Sequence, residues 1–144
     1  MNTQSRSPAD GSTAAKDGAA LIADYLIAEK VPYVFGLCGH GNIGFLDALH
    51  ARSDRIKTIS VRHESMAGFM ADVYYRVSGQ PIATLTSCGP GSANLPIALA
   101  NAFFDSVPFY AITGNVPAAK IGDLVIDLAS WAGANVPSKT IPLV

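Results

Sequence analysis

The sequence predicts an α/β domain built on an open, mainly parallel sheet with helices on both faces. Three observations point there. Short apolar runs rich in β-branched and aromatic residues alternate with helix-like stretches of about 10–15 residues, the pattern of βαβ units joined by right-handed crossovers. Ile82 to Thr86 (IATLT) is apolar with little alternation, as strands covered on both faces tend to read. Glycine-rich turns follow several of the strand-like runs.

Taken in order, residues 1–16 are Ser, Thr, Ala, Asp and Gly without periodicity and read as a disordered lead-in. Residues 17–30 place Ala20, Leu21, Ala23, Leu26 and Ile27 at helical spacing, with Asp17 as N-cap. Residues 31–35 (VPYVF) form a strand ending at Gly36, and residues 42–50 a helix carrying Ile43, Leu46 and Leu49. Residues 56–61 give the second strand. Between Glu64 and Val77, Met66, Met70, Val73 and Val77 fall within a stripe about 60° wide, which marks the clearest helix in the chain. Gly79-Gln80-Pro81 stops it, and the strand at residues 82–86 follows. The turn CGPGSAN then leads into a helix over residues 93–104, with Pro96 tolerated in its first turn. Residues 108–113 (PFYAIT) form a strand ending at Gly114. Beyond residue 117 the pattern weakens: residues 124–131 could form an amphipathic helix, and residues 138–144 a short strand or a loose end.

Composition narrows the function. At 144 residues the chain suits one domain, and 49% hydrophobic against 15% charged residues is rich in core and poor in charge. Sparse charge on a small domain implies apolar surface, hence a buried interface with a partner. A formal net charge of -1 gives no footprint for nucleic acid or an anionic membrane. Neither Cys38 nor Cys88 sits in a metal-ligand or redox spacing, and both read as reduced thiols. With no apolar run long enough to span a bilayer and no secretory h-region, a cytoplasmic location is expected.

In a parallel sheet, ligands bind beyond the carboxyl ends of the strands, so chemistry is sought in the loops there. These are residues 36–42 (GLCGHGN), 62–64 (RHE), 87–94 (SCGPGSAN) and 114–117 (GNVP). Neither glycine loop is a Walker loop or a GxGxxG. Glu64 stands at a strand-to-helix junction between apolar segments, so it is either a plain acid at a helix start or a buried functional acid. The helix amino end favours its charged form and burial the neutral one, a balance suited to proton exchange with a heterocyclic nitrogen. His40 and His63 are equally open: each is a proton shuttle or simply a solvated, hydrogen-bonded side chain.

Together these loops resemble the pyrimidine-binding, amino-terminal domain of the thiamine-diphosphate-dependent enzymes, in the acetolactate synthase-like branch. The carriers are VFGLCGHGNIGFLDAL (residues 34–49), VRHESMAGFMADVYYRVSGQP (61–81), LTSCGPGSANL (85–95) and DSVPFYAITGNVP (105–117). The resemblance implies a pyrimidine-binding domain over residues 17–117, with 118–144 a segment of uncertain structure. It gives Glu64 the role of hydrogen-bonding the cofactor's aminopyrimidine and relaying a proton to it. It also places Gly89, Pro90 and Asn94 along the pyrimidine, Asn115 as an amide facing the site, and His40 as a catalytic residue that handles substrate. The implied cofactor is thiamine diphosphate, acting on 2-oxo acids or vicinal diketones by decarboxylation, carboligation or C–C cleavage.

Departures from the family pattern have consequences. Cys88 replaces the usual serine and Ala93 the usual threonine, while Val73 and Tyr75 replace small residues and would alter the packing of their helix. The FGLCGHGN loop differs from that of acetolactate synthases themselves, which points away from acetolactate synthesis as the activity. In this family a GDG-to-Asn motif of a separate domain holds the diphosphate through Mg2+. Gly122-Asp123 lacks the second glycine, so no metal site is assigned to this chain. The resemblance therefore implies a homo-oligomer, or a hetero-oligomer with a diphosphate-binding subunit. A catalytically silent binding or assembly module keeping the fold is the alternative, and a flavodoxin-like nucleotide domain the third reading.

Overall fold

The computed structural model describes residues 17–115 and 140–143. The expected disordered lead-in and the expected helix at residues 124–131 lie outside them. Among the described residues the chain runs α1 (Gly18–Ala28), β1 (Tyr33–Gly36), a 3-10 turn (His40–Asn42), α2 (Ile43–His50), β2 (Lys57–Ser60) and α3 (Glu64–Ser78), then β3 (Ala83–Thr86), α4 (Pro90–Ala93), α5 (Pro96–Phe104), β4 (Tyr110–Gly114) and β5 (Thr140–Leu143). The sheet is parallel throughout and ordered β2-β1-β3-β4-β5. Thr140–Leu143 is a strand, paired with β4 from Ala111↔Thr140 to Gly114↔Leu143.

Each face of the sheet carries its own apolar layer. Ala23 and Leu26 of α1 with Phe45 and Leu49 of α2 cover Val34, Leu85 and Ile112. Ala67 and Ala71 of α3 with Leu99 and Ala102 of α5 cover Phe35 and Ala111. Alternate residues of β1, Val34 and Phe35, thus serve opposite layers. Covering on both sides explains why β3 and β4 are buried along their whole length and read as continuous apolar runs.

Several boundaries differ from the sequence expectation. β1 begins at Tyr33 rather than at residue 31, because Pro32 has no N–H for the ladder, although Val31 is still buried. Asp17 occupies the N-cap of α1 but makes no side-chain capping bond. The single helix expected at 93–104 is two, α4 and α5, with Pro96 opening the second at its first position. Ile43, expected on the packed stripe of α2, is exposed.

The largest surprise is α3. Its stripe of Met66, Met70, Val73 and Val77 is not packed into the core: Met66 is 52% exposed, Val73 58% and Val77 84%. The buried face is instead Ala67, Gly68, Ala71 and Asp72. Small residues there let α3 lie close against α5, where a Cβ on Gly68 would collide with the Cβ of Ala98. Val73 therefore points away from that contact and leaves it unaltered, contrary to the expectation from its bulk. Tyr75 is half-buried against the same layer. Asp72 is held by Arg76 (2.8 and 3.1 Å), which also bonds Asp105 after the end of α5. The hydrogen bonds that Arg76 donates to Asp72, then to Asp105, hold its guanidinium pKa above the ordinary range.

Candidate functional site

Strand order reverses between β1 and β3, because the chain steps from β1 outward to β2 and then back across to β3. At such a switch point the loops leaving neighbouring strands diverge and open a crevice at the carboxyl edge. The loops after β1 and β3 meet there. Asn42, only 1% exposed, laces the first: its Oδ1 accepts from Gly39 N–H (3.0 Å) and its Nδ2 donates to the Leu37 carbonyl (2.9 Å). Gly41 N–H donates to Ser87 Oγ (3.3 Å), tying this loop to the next one. The loop after β4 closes on the same spot, since Gly114 packs against the Gly41 backbone too closely for any side chain.

Glu64 reaches this crevice from the first turn of α3. His63 caps that helix, accepting from Ser65 N–H through Nδ1 (3.4 Å) and pairing with Ser65 Oγ (2.7 Å), which gives it a structural part at the helix start. Glu64 is half-buried, and its Oε2 accepts a hydrogen bond from Asn94 Nδ2 at 2.9 Å. Its Oε1 accepts none from the described residues and lies over Gly91, where an added Cβ would sit 3.1 Å away. The turn carrying Gly91 is itself anchored: Ser92 Oγ donates to the Ser87 carbonyl (2.5 Å), and α4 ends at Asn94 with its N–H on the Pro90 carbonyl (3.2 Å).

The structure thus joins Glu64 directly to Asn94 and Gly91, and Gly89 and Pro90 lead into the same turn without a described contact to Glu64. Pro90 starts α4 and is exposed; Gly89 precedes it with φ of 60°. Asn115 and His40 lie in the adjoining part of the crevice. Asn115 follows β4 with its carbonyl beside Gly41, and His40 is exposed on the 3-10 turn next to Gly41. Neither makes a described contact with Glu64. Sequence reasoning missed Asn42 and Ser92, both buried, and half-buried Ser87, whose polar side chains hold the loops in place. Their signal was available, since polar side chains between glycines in a packed loop must find backbone partners. Cys38 and Cys88 are both free thiols. Among the described residues, no group of three or more His, Cys, Asp or Glu side chains is placed to hold a metal ion, and no helix is long and apolar enough to cross a membrane.

Fold and crevice define a ligand-binding α/β domain of the doubly wound kind, with one carboxylate set between converging loops. Comparison with known proteins makes this specific. Residues 16–135 match the family described as "Thiamine pyrophosphate enzyme, N-terminal TPP binding domain". The chain belongs to that family. Similarity therefore continues past residue 117, where the motifs had suggested that it stops. The chain is 37% identical over 120 residues to the large subunit of acetolactate synthase isozyme 1 of Escherichia coli, covering 83% of this chain and 21% of that protein. It is 42% identical over 107 residues to a probable acetolactate synthase large subunit of Methanococcus aeolicus, covering 74% and 18%. To the mitochondrial acetolactate synthase catalytic subunit of Aspergillus candidus it is 32% identical over 137 residues, covering 95% and 20%. The chain spans about a fifth of the length of these relatives.

Proposed function

We propose that this chain is the pyrimidine-binding half of a thiamine-diphosphate-dependent enzyme acting on 2-oxo acids or vicinal diketones, completed by a diphosphate-binding domain. That domain comes from a partner subunit or from the remainder of a longer chain, and it brings the Mg2+ ligands. The observation that carries this reading is Glu64: a half-buried carboxyl at the sheet's switch point, one oxygen held by an amide and the other left open over a glycine.

The residues fit an aminopyrimidine. Such a ring needs a carboxyl in reach of a ring nitrogen and backbone rather than bulky side chains beside it, and Glu64 Oε1 next to Gly91 suits both needs. When bound, thiamine diphosphate supplies the electron sink that makes a bond beside a carbonyl cleavable. Glu64 holds and moves a proton at the ring nitrogen. Asn42 and Ser87 keep the first glycine loop still and so fix the turn that carries His40, the residue that would handle substrate. The name of the acetolactate synthase relatives favours joining of 2-oxo acids among the possible outcomes.

Assembly is supported by the outward face of α3. Phe35, Met66, Phe69, Met70, Val73, Tyr74 and Val77 line an apolar groove of about 530 Å³ on the helix that begins with Glu64. A partner covering that helix would also wall off the crevice and exclude water from it.

The test is Glu64→Gln in the complete assembly, assayed on its native substrate. Losing the proton relay is expected to lower turnover by roughly 10²–10⁴-fold. Retained activity would overturn the reading and favour a silent assembly module.

A further inference from the structure

Resting on that reading, we infer that the two oxygens of Glu64 have separate jobs: Asn94 is a positioning residue that fixes Oε2, and Oε1 above Gly91 is the atom that exchanges a proton with the bound ring. The family resemblance places Asn94 along the pyrimidine, but in the structure its amide is already committed to the glutamate.

The amide's orientation decides which oxygen works. An ionised carboxylate only accepts hydrogen bonds, so the side of Asn94 facing it must be the Nδ2 donor. While the amide keeps this orientation, an N–H aimed at Oε2 cannot accept a proton from it, and Oε2 stays an acceptor. Any proton carried by Glu64 then sits on Oε1. Oε1 is also the oxygen to which no described residue donates, and the one that lacks a side chain beneath it.

Asn94 is well placed to be stiff. It closes α4, its N–H bonds the Pro90 carbonyl at 3.2 Å, and the same short helix is pinned by buried Ser92 to the Ser87 carbonyl at 2.5 Å. The backbone that carries the donor is thus held independently of any ligand, and the Asn94–Glu64 bond forms without the cofactor. Gly91 completes the arrangement. A methyl group there would stand 3.1 Å from Oε1, tight enough to push the carboxyl off its position or to cover it.

The experiment uses the complete assembly with thiamine diphosphate and Mg2+, comparing wild type with Asn94→Leu, Asn94→Asp, Gly91→Ala and Glu64→Gln. Asn94→Leu keeps the volume without the donor, and removing a hydrogen bond to a charged group should lower kcat by roughly tenfold or more, with the apparent cofactor affinity changed less than about threefold. Gly91→Ala should lower kcat in the same way. Asn94→Asp replaces the donor by an acceptor. Its kcat should recover as pH falls, because the two carboxyls can then share one proton. A readout independent of turnover is the near-ultraviolet circular dichroism of the bound cofactor, whose amino and imino forms differ. Asn94→Leu should shift that balance toward the amino form.

A large loss of cofactor affinity in Asn94→Leu with kcat unchanged would make Asn94 a ring contact and overturn the inference. Wild-type behaviour of both Asn94→Leu and Gly91→Ala would overturn it too. If Glu64→Gln is inactive while those variants are normal, only the division of labour fails. If Glu64→Gln is fully active, the cofactor reading itself fails.

Discussion

Asn42 shows what a single side chain contributes beneath the site. It is buried between glycines and satisfies one backbone donor and one backbone acceptor at once, which turns a floppy segment into a fixed platform for His40. Asn42→Ala leaves both groups without their partner and is expected to lower stability by about 1–3 kcal/mol, read as a fall in the denaturant midpoint at constant slope. Asn42→Asp should cost as much, because it sets an acceptor against the Leu37 carbonyl; an unchanged midpoint in both variants would remove Asn42 from this role. Residues at this scale were only partly legible. Glu64, Asn94 and the Gly89–Gly91 turn could be found by position, since each follows a strand and stands in a recognisable motif. Asn42 and Ser87 were passed over because a polar side chain that holds a loop and one that faces solvent look alike in a sequence until the loop around them is folded.

At the scale of elements, α3 carries the main lesson. Its apolar periodicity marked the helix correctly, yet the periodic face looks away from the core. A stripe of large apolar residues ordinarily faces the core. Here the inward face is Ala67, Gly68 and Ala71, chosen for close approach to α5, and small residues give a weak periodic signal. Pro96 splits one expected helix into two at little cost, because α5 starts where its first amides are unpaired in any case. The outward face makes a prediction. Val73→Asp and Met70→Glu should leave the isolated chain's stability within about 0.5 kcal/mol of wild type, as for exposed positions. Their affinity for the diphosphate-binding domain, measured by sedimentation or calorimetry, should fall at least roughly tenfold. Unchanged assembly would mean that the groove on α3 is not the partner surface.

The whole molecule follows from strand order and surface. The order β2-β1-β3-β4-β5 opens one crevice, between β1 and β3, and the loops gathered there are those the sequence singled out. Alternation of strands and helices made this class legible, because covering on both faces imposes continuous apolar strands. The order of strands was not legible, since nothing local to β2 records that it lies at an edge with every residue exposed. The scarcity of charge, 15% of residues, has a matching structural feature in the apolar face of α3. The central claim is that this domain supplies one half of a thiamine diphosphate site. Isothermal titration of thiamine diphosphate with Mg2+ into the chain alone, and into the chain paired with its diphosphate-binding domain, tests it most directly. Saturable binding at one cofactor per chain in the paired sample, with none measurable for the chain alone, is the predicted result; equal binding without the partner, or none in any pairing, would contradict it.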